Sequence, residues 1–376
     1  MSRQYHIIIG SKSFFNKQLP KNDDEYGITS TFSQIVRDSD ESRNRGRAFE
    51  NIADTLIVSN DSYTAITEQA NDRIGALIEE LTEDDAEIYV HNPPKNLQTY
   101  LNEVQKYGEI TIEVKKQTYE IDKNESDFVD RMKSIATNII GQNNAIVEVS
   151  KSMWYLTKTE RKNPYVIMLF GNSSLGKTEL VRELAKHFYN NEYFEKHLSM
   201  FKNNSYSDYF FGEKPNRVTL AYELLERNSN LIFLDELDKC PEYFYSAFYT
   251  LFDNVKFEDS TYEVETAGSL IILTSNYQNI EEMKKELGLP IFFRIDKFIE
   301  FNDFSIDTIY QIVQKEILDR SEEYSGLFIA DDIYRAVCNR VNLTGENART
   351  IKYKVQEVIE HLLFSRIEDD FSSEIL

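Results

Sequence analysis

The segment Gly171-Asn172-Ser173-Ser174-Leu175-Gly176-Lys177-Thr178 fits the phosphate-loop pattern G-x-x-x-x-G-K-[ST] without exception. Each residue type has a reason to be there. The glycines let the backbone curl so that amides face phosphate oxygens, and a following helix N-terminus adds partial positive charge. Lys177 would reach the β- and γ-phosphates, and the Thr178 hydroxyl would hold Mg²⁺. A second constellation is Leu231–Leu234 followed by Asp235 and Glu236. Asp235 suits the water shell of Mg²⁺, and Glu236 suits a base that polarises an attacking water. A third is Asn276, which follows the apolar run to Thr274. Its amide at a strand end would touch both γ-phosphate and water, although turn asparagines are common at such places.

These residues need a particular scaffold. Tyr165–Phe170 (YVIMLF) reads as a buried parallel strand, and Thr178–Phe188 reads as a helix with Leu180, Val181, Leu184 and Ala185 apolar. Leu231–Glu236 and Ser269–Thr274 read as further buried strands. Ligands of open α/β sheets sit at the carboxyl ends of such strands, where all three constellations fall. From Ser305 onward the strand signals stop, and three helical patterns follow. The last carries Ile351, Val355, Val358, Ile359 and Leu362 at helical spacing. Upstream, short apolar runs at Tyr5–Ile9, Thr55–Val58, Glu87–Val90 and Glu109–Val114 alternate with helical stretches at Ala65–Leu81 and Leu97–Val104, so a small, partly parallel α/β unit is expected. The polar stretch Thr118–Asp130 reads as a linker. The expected division is 1–120, 128–302 and 303–376.

Composition narrows the function classes. The 376 residues carry 42 basic and 64 acidic side chains, a net charge of −22. Both the first 120 residues and the remainder are acidic, which disfavours a nucleic-acid or anionic-membrane binder. The chain's 23 Tyr and 24 Phe, against 13 Gly and 7 Pro, rule out wholesale disorder. Two cysteines make no disulfide framework, and no window approaches 18 apolar residues, so a cytoplasmic protein without a membrane span is expected.

Taken together, the motifs resemble the AAA+ superfamily, and within it the Clp unfoldase and disaggregase clade, over about residues 126–366. The resemblance implies a three-layer α/β P-loop NTPase domain with a C-terminal helical lid, here preceded by the small α/β unit. It also implies an ATP hydrolase using ATP and Mg²⁺ in a homo-oligomeric, hexameric ring. Ile139–Ile146 (IIGQNNAI) resembles the segment flanking the adenine, which brings in Ile140 and Gly141. Leu234–Asn254 resembles the family's acidic strand end and following helix, and Leu273–Tyr277 (LTSNY) its sensor 1, implying Asn276. Phe292–Asp296 (FFRID) resembles the segment bearing the arginine finger, implying Arg294. Gly345–Thr350 (GENART) resembles the opening of the last helix, implying Arg349 as sensor 2. The stretch Tyr209-Phe210-Phe211-Gly212 takes the place of the polypeptide-gripping pore loop. Phe210 aligns best with the gripping aromatic and Tyr209 is the alternative, unless these rings simply pack locally.

The function so implied is ATP-driven remodelling, unfolding or translocation of a polypeptide. A rival from another class is a nucleotide-controlled oligomeric switch or scaffold that activates an effector. The pore-loop aromatics are what favour threading. Residues 1–120 do not resemble a Clp N-terminal domain and would choose the substrate or tether a partner. Within them Arg43, Arg45 and Arg47 suggest either an anion contact or a solvated loop, and His6 and His91 read as structural. Cys240 reads as a buried small residue.

Overall fold

The computed structural model describes residues 2–20, 28–46, 49, 52–119, 121, 124–203, 206–212, 216–324, 327–343 and 345–365. The N-terminal part is a sheet of β1 (Arg3–Ile9), β2 (Thr29–Thr31), β3 (Ala53–Val58), β4 (Thr82–His91) and β5 (Ile110–Lys116). Its order is β2-β3-β4-β1-β5, with every pairing parallel. The helices are α1 (Lys12–Gln18), α2 (Phe32–Asn44), α3 (Asp61–Thr64), α4 (Glu68–Asp72), α5 (Ile74–Glu80) and α6 (Lys95–Lys106). Parallel strands need crossovers, and these helices supply them. The single helix expected over Ala65–Leu81 is two, α4 and α5, separated at Arg73. Arg43 and Arg45 sit at the end of α2, where Arg45 bonds Glu41, rather than in a loop. Arg47 lies outside the described residues. His6 stacks on Tyr89 and His91 on Phe15, both as packed ring pairs.

The second sheet holds β6 (Tyr165–Phe170), β7 (Phe194–His197), β8 (Leu231–Asp235), β11 (Leu270–Thr274) and β12 (Lys297–Glu300) in the order β12-β6-β11-β8-β7, all parallel. A hairpin of β9 (Lys256–Glu258) and β10 (Glu263–Glu265) stands beside it. The helices are α7 (Glu125–Asn138), α8 (Asn143–Lys158), α9 (Lys177–Phe188), α10 (Ser207–Phe211), α11 (Leu220–Leu225), α12 (Tyr245–Asp253) and α13 (Ile280–Phe292). The expected linker is therefore shorter, because Asn124 caps α7 through the Ser126 amide. The unbroken apolar run of β6 follows from burial on both faces. Val166, Met168 and Phe170 join one core cluster, while Ile167 and Leu169 join the other. A third core, of α14 (Ile306–Asp319), α15 (Ala330–Arg340) and α16 (Ala348–Phe364), follows the strands.

The N-terminal sheet meets the second unit through its carboxyl edge. The Lys12 amide and the Asn60 side chain donate to the Glu226 carboxylate at 2.9 and 2.8 Å, and the Tyr222 hydroxyl donates to Asp61 at 3.1 Å. The Lys95 amide donates to the Thr261 carbonyl at 2.8 Å. Among the described residues no helix is long and apolar enough to cross a membrane.

One expectation is overturned here. Tyr209–Gly212 is not presented as a gripping loop. Residues 207–211 form α10, and Phe210 is 2% exposed, with its ring centroid 4.4 Å from that of Phe244 and 4.8 Å from that of Phe201. The Tyr209 hydroxyl donates to Glu223, and its ring stacks on Phe201. Gly212 closes the helix at φ 66°, where an added Cβ would lie 2.7 Å from the Asp259 carboxyl carbon. Large rings surrounded by other rings gain more by mutual burial than by exposure to solvent. Phe210→Ala should accordingly lower the unfolding free energy by about 3–5 kcal/mol, as for other buried Phe truncations. Chemical denaturation checks it, and a variant of unchanged stability would contradict the packing described.

Candidate functional site

Strand register builds the site. Thr274 of β11 lies opposite Leu169 of β6, and Leu273 lies opposite Leu234 of β8. The chain leaving each strand therefore emerges at one edge. From β6 comes the loop 171–176, from β8 come Asp235 and Glu236, and from β11 come Ser275 and Asn276. Together with the start of α16 they enclose a cleft of about 540 Å³.

The loop is shaped for close approach. Gly171 has φ 126°, and a Cβ there would lie 2.3 Å from the Phe301 carbonyl oxygen. Ser174 and Gly176 also take positive φ, at 61° and 101°. Lys177 opens α9 and is only 8% exposed. Its Nζ donates to the Gly171 and Asn172 carbonyls at 2.6 and 2.7 Å and to Asn276 Oδ1 at 3.4 Å. It makes no ion pair among the described residues. Burial pulls the ammonium down to about 8, against the opposing fields of Asp238 and Asp235. A buried cation satisfied only by carbonyls fits a polyanion that enters the cleft.

The acidic side is equally ordered. Asp235 accepts from the Thr274 hydroxyl and pairs with His197 Nδ1 at 3.1 Å. Glu236 has φ 59° and ψ 51°, a left-handed conformation held by its amide donating to Thr274 Oγ1 at 2.9 Å. That turn redirects the chain so that Glu236 also lines the cleft. Asn276 Nδ2 donates to Asp238 Oδ2 at 3.3 Å, so one amide spans Lys177 and Asp238. Thr178 lines the cleft beside these carboxylates, and Thr178 with Asp235 would form the Mg²⁺ site.

Of the expected residues, Ile140, Ser173, Ser174, Leu175, Gly176, Lys177, Thr178, Asp235, Glu236, Asn276 and Arg349 line the cleft. Gly141, at φ 80°, packs instead under Thr308. Asn172 turns aside, donating to Asp303 and accepting from Gln278, each at 2.8 Å. Asn347 caps α16 in a reciprocal pair with Thr350, and the Ala348 amide donates to the Ser174 carbonyl at 3.2 Å. That bond ties the last helix to the phosphate loop and brings Arg349 to the cleft. Arg294 does not reach it. Its Nε lies 2.6 Å from Asp253 Oδ2, its Nη1 donates to the Pro290 carbonyl at 2.6 Å, and its guanidinium lies over Tyr249.

Residues 167–302 match the model of the ATPase family associated with various cellular activities (AAA). These residues form an AAA ATPase domain. The chain's likeness extends to the chloroplastic chaperone protein ClpB3 of Arabidopsis thaliana, 25% identical over 281 residues that cover 63% of this chain and 28% of that protein. The chaperone protein ClpB of Mycoplasmoides gallisepticum is 24% identical over 256 residues, covering 61% and 36%. The mitochondrial disaggregase of Homo sapiens is 26% identical over 168 residues, covering 40% and 23%. The chain thus spans between about a quarter and a third of these relatives.

Further residues complete the cleft. Ile139, Phe304 and Ile312 add an apolar wall beside Ile140, while Lys315 and Lys352 add cations from the helical unit. Thr274 and Asp238 organise the acidic side. Both fall inside segments already singled out, Thr274 in Leu273–Tyr277 and Asp238 in Leu234–Asn254, but their types alone gave neither a role. Cys240 is buried, which pushes its thiol up to about 12, as suits a packed residue rather than a nucleophile.

The Lys177 environment gives a pH dependence. Phosphates bind the charged ammonium, whose ordinary value of 10.5 has fallen to about 8. Nucleotide affinity should therefore be full below that pH and fall as pH rises through it, by up to about tenfold per unit. Titration with a fluorescent ATP analogue from pH 7 to 9 checks this. Constant affinity would contradict it, and Lys177→Ala should bind weakly throughout.

Proposed function

We propose that this chain works as an oligomeric ring, hexameric by resemblance, in which each ATP site is shared between neighbouring copies and drives remodelling of a polypeptide. The observation that carries the reading is the separation of Arg294 from a cleft that already holds Lys177, Glu236, Asn276 and Arg349. An arginine held away from its own cleft by Asp253 and the Pro290 carbonyl is suited to stabilise transition-state charge in an adjacent subunit. The names of the ClpB and disaggregase relatives support action on polypeptides.

In this reading Lys177 and the loop amides hold the β- and γ-phosphates, and the apolar wall of Ile139 and Ile140 takes the base. Glu236 accepts the proton of the attacking water, while Asn276 orients that water and the γ-phosphate. Arg349 reports the nucleotide to the lid through α16. Mg²⁺ held at Thr178 and Asp235 would neutralise phosphate charge. Residues 1–120 recruit the partner, 128–302 bind and hydrolyse ATP, and 303–376 act as the lid, in a cytoplasmic machine without a membrane or nucleic-acid partner.

The burial of Phe210 favours a second reading, a nucleotide-controlled switch that activates an effector without threading. Neither Phe210 nor Tyr209 is free to grip a chain, so any pulling surface must come from other residues.

Subunit mixing tests the shared site. Glu236→Gln should bind ATP and barely hydrolyse it, and Arg294→Ala should lose about 10³-fold or more in turnover. Mixed rings of the two should recover activity, because some interfaces then carry an intact base and an intact finger. No recovery in rings verified as mixed would rule out sharing. ATPase stimulation by an unfolded polypeptide then favours remodelling, and its absence favours the switch.

A further inference from the structure

Asn276 has two side-chain partners among the described residues, and they make opposite demands. On one side Lys177 Nζ lies 3.4 Å from Asn276 Oδ1, and on the other Asp238 Oδ2 lies 3.3 Å from Asn276 Nδ2. An ammonium only donates and a carboxylate only accepts. One end-for-end orientation of the amide therefore satisfies both partners, and the reverse opposes both. The backbone is fixed independently. The Ser275 amide donates to the Leu169 carbonyl at 3.0 Å, and the Asn276 carbonyl accepts from Gln278 Nε2 at 2.9 Å. What is left to decide is the rotation of the terminal amide, a broad torsion with a roughly two-fold preference.

ATP takes away one of the two partners. When Lys177 turns to the phosphates, Asp238 alone sets the amide, and Asp238 is built to stay. It sits in the tight turn Leu237–Lys239 that follows Glu236. There the Lys239 amide donates to the Glu236 carbonyl and the Cys240 amide to the Leu237 carbonyl, each at 3.0 Å. Leu237 is fully buried, and the Asp238 side chain is 7% exposed. Lys239 Nζ lies 3.0 Å from the same Oδ2 that meets Asn276, while Asp238 Oδ1 is buried without a hydrogen-bond partner. Asp238 does not itself line the cleft, so its influence on the reaction passes through Asn276.

We propose that Asp238 is a positioning residue for hydrolysis, holding the Asn276 amide so that its oxygen, not its nitrogen, is offered to the attacking water. This rests on the reading above of Glu236 as the base and Asn276 as the residue that orients the water. The chemistry favours one orientation. A water that attacks phosphorus needs a free lone pair, so its two hydrogens should be the atoms held, one by Glu236 and the other by Asn276 Oδ1. In the reversed amide an N–H would donate to the water oxygen and compete for the attacking pair. A carboxylate at position 238 forbids that reversal, because it would bring Oδ1 against Asp238 Oδ2.

A double-mutant cycle on the steady-state ATPase of the full chain tests this. Asp238→Asn keeps the shape but can donate as well as accept, so the Asn276 amide is free to turn over. It should lower kcat about tenfold or more, as loss of a charged hydrogen bond does. Affinity for a fluorescent ATP analogue should stay within about threefold of wild type, because no phosphate contact is removed. In the Asn276→Ala background, Asp238→Asn should change kcat by less than about twofold, since the group it positions is already gone. Should Asp238→Asn fail to fold, Asp238→Ser takes its place in the same cycle. Wild-type turnover by Asn276→Ala would overturn the role given to Asn276, and this proposal with it. With Asn276→Ala impaired, an unimpaired Asp238 variant, or losses that multiply in the double variant, would overturn this proposal alone.

Discussion

The parallel register of β6, β11 and β8 is the constraint on which the rest of the molecule depends. Three strands hydrogen-bonded in one direction must end at one edge, so a glycine loop, an acidic pair and an asparagine distant in sequence become neighbours. The alternating burial of Val166 to Phe170 between two cores fixes that register, because a slip by one residue would exchange the two faces and displace every strand end. Thr274 then converts register into chemistry. Its hydroxyl oxygen receives the Glu236 amide and its hydroxyl hydrogen goes to Asp235, so the last residue of β11 holds both the Asp235 carboxylate and the turn at Glu236.

The local parts of this arrangement were legible in the sequence. The phosphate loop is contiguous, and strand, glycines, lysine and helix must follow one another for it to work at all. Asp235, Glu236 and Asn276 stood out because each polar residue ends an apolar run. What was not legible depends on distant packing. An aromatic residue looks the same whether it grips a ligand or fills a core, and only the assembly of Phe201, Phe244 and Phe248 around Phe210 decides between them. Thr274 reads as an ordinary strand residue until β8 lies beside it. In the N-terminal unit the apolar periodicity over Ala65–Leu81 matched one helix. The buried Asn71, whose side chain donates to the Tyr63 carbonyl, fixes the first segment separately from the second. The three-residue strand β2 is too short to leave a pattern.

The same reasoning separates the two kinds of surface the ATPase unit presents. Glu226, at the end of α11, is committed to the N-terminal sheet, where the Lys12 amide and the side chains of Asn60 and Asn92 donate to it. Adjacent Arg227 stacks on Tyr119 and donates to Asn230, just before β8. Two consecutive residues thus link the N-terminal unit to β8 and β11, and the ATP cleft lies at the opposite ends of those strands.

A structure with a non-hydrolysable ATP analogue and Mg²⁺ is the most direct test of the cleft. Lys177 Nζ should leave the Gly171 and Asn172 carbonyls for the β- and γ-phosphates, with the metal beside Thr178 and Asp235 and the base against Ile139 and Ile140. A nucleotide bound elsewhere, or a Lys177 still held by those two carbonyls with the phosphates out of its reach, would contradict the account.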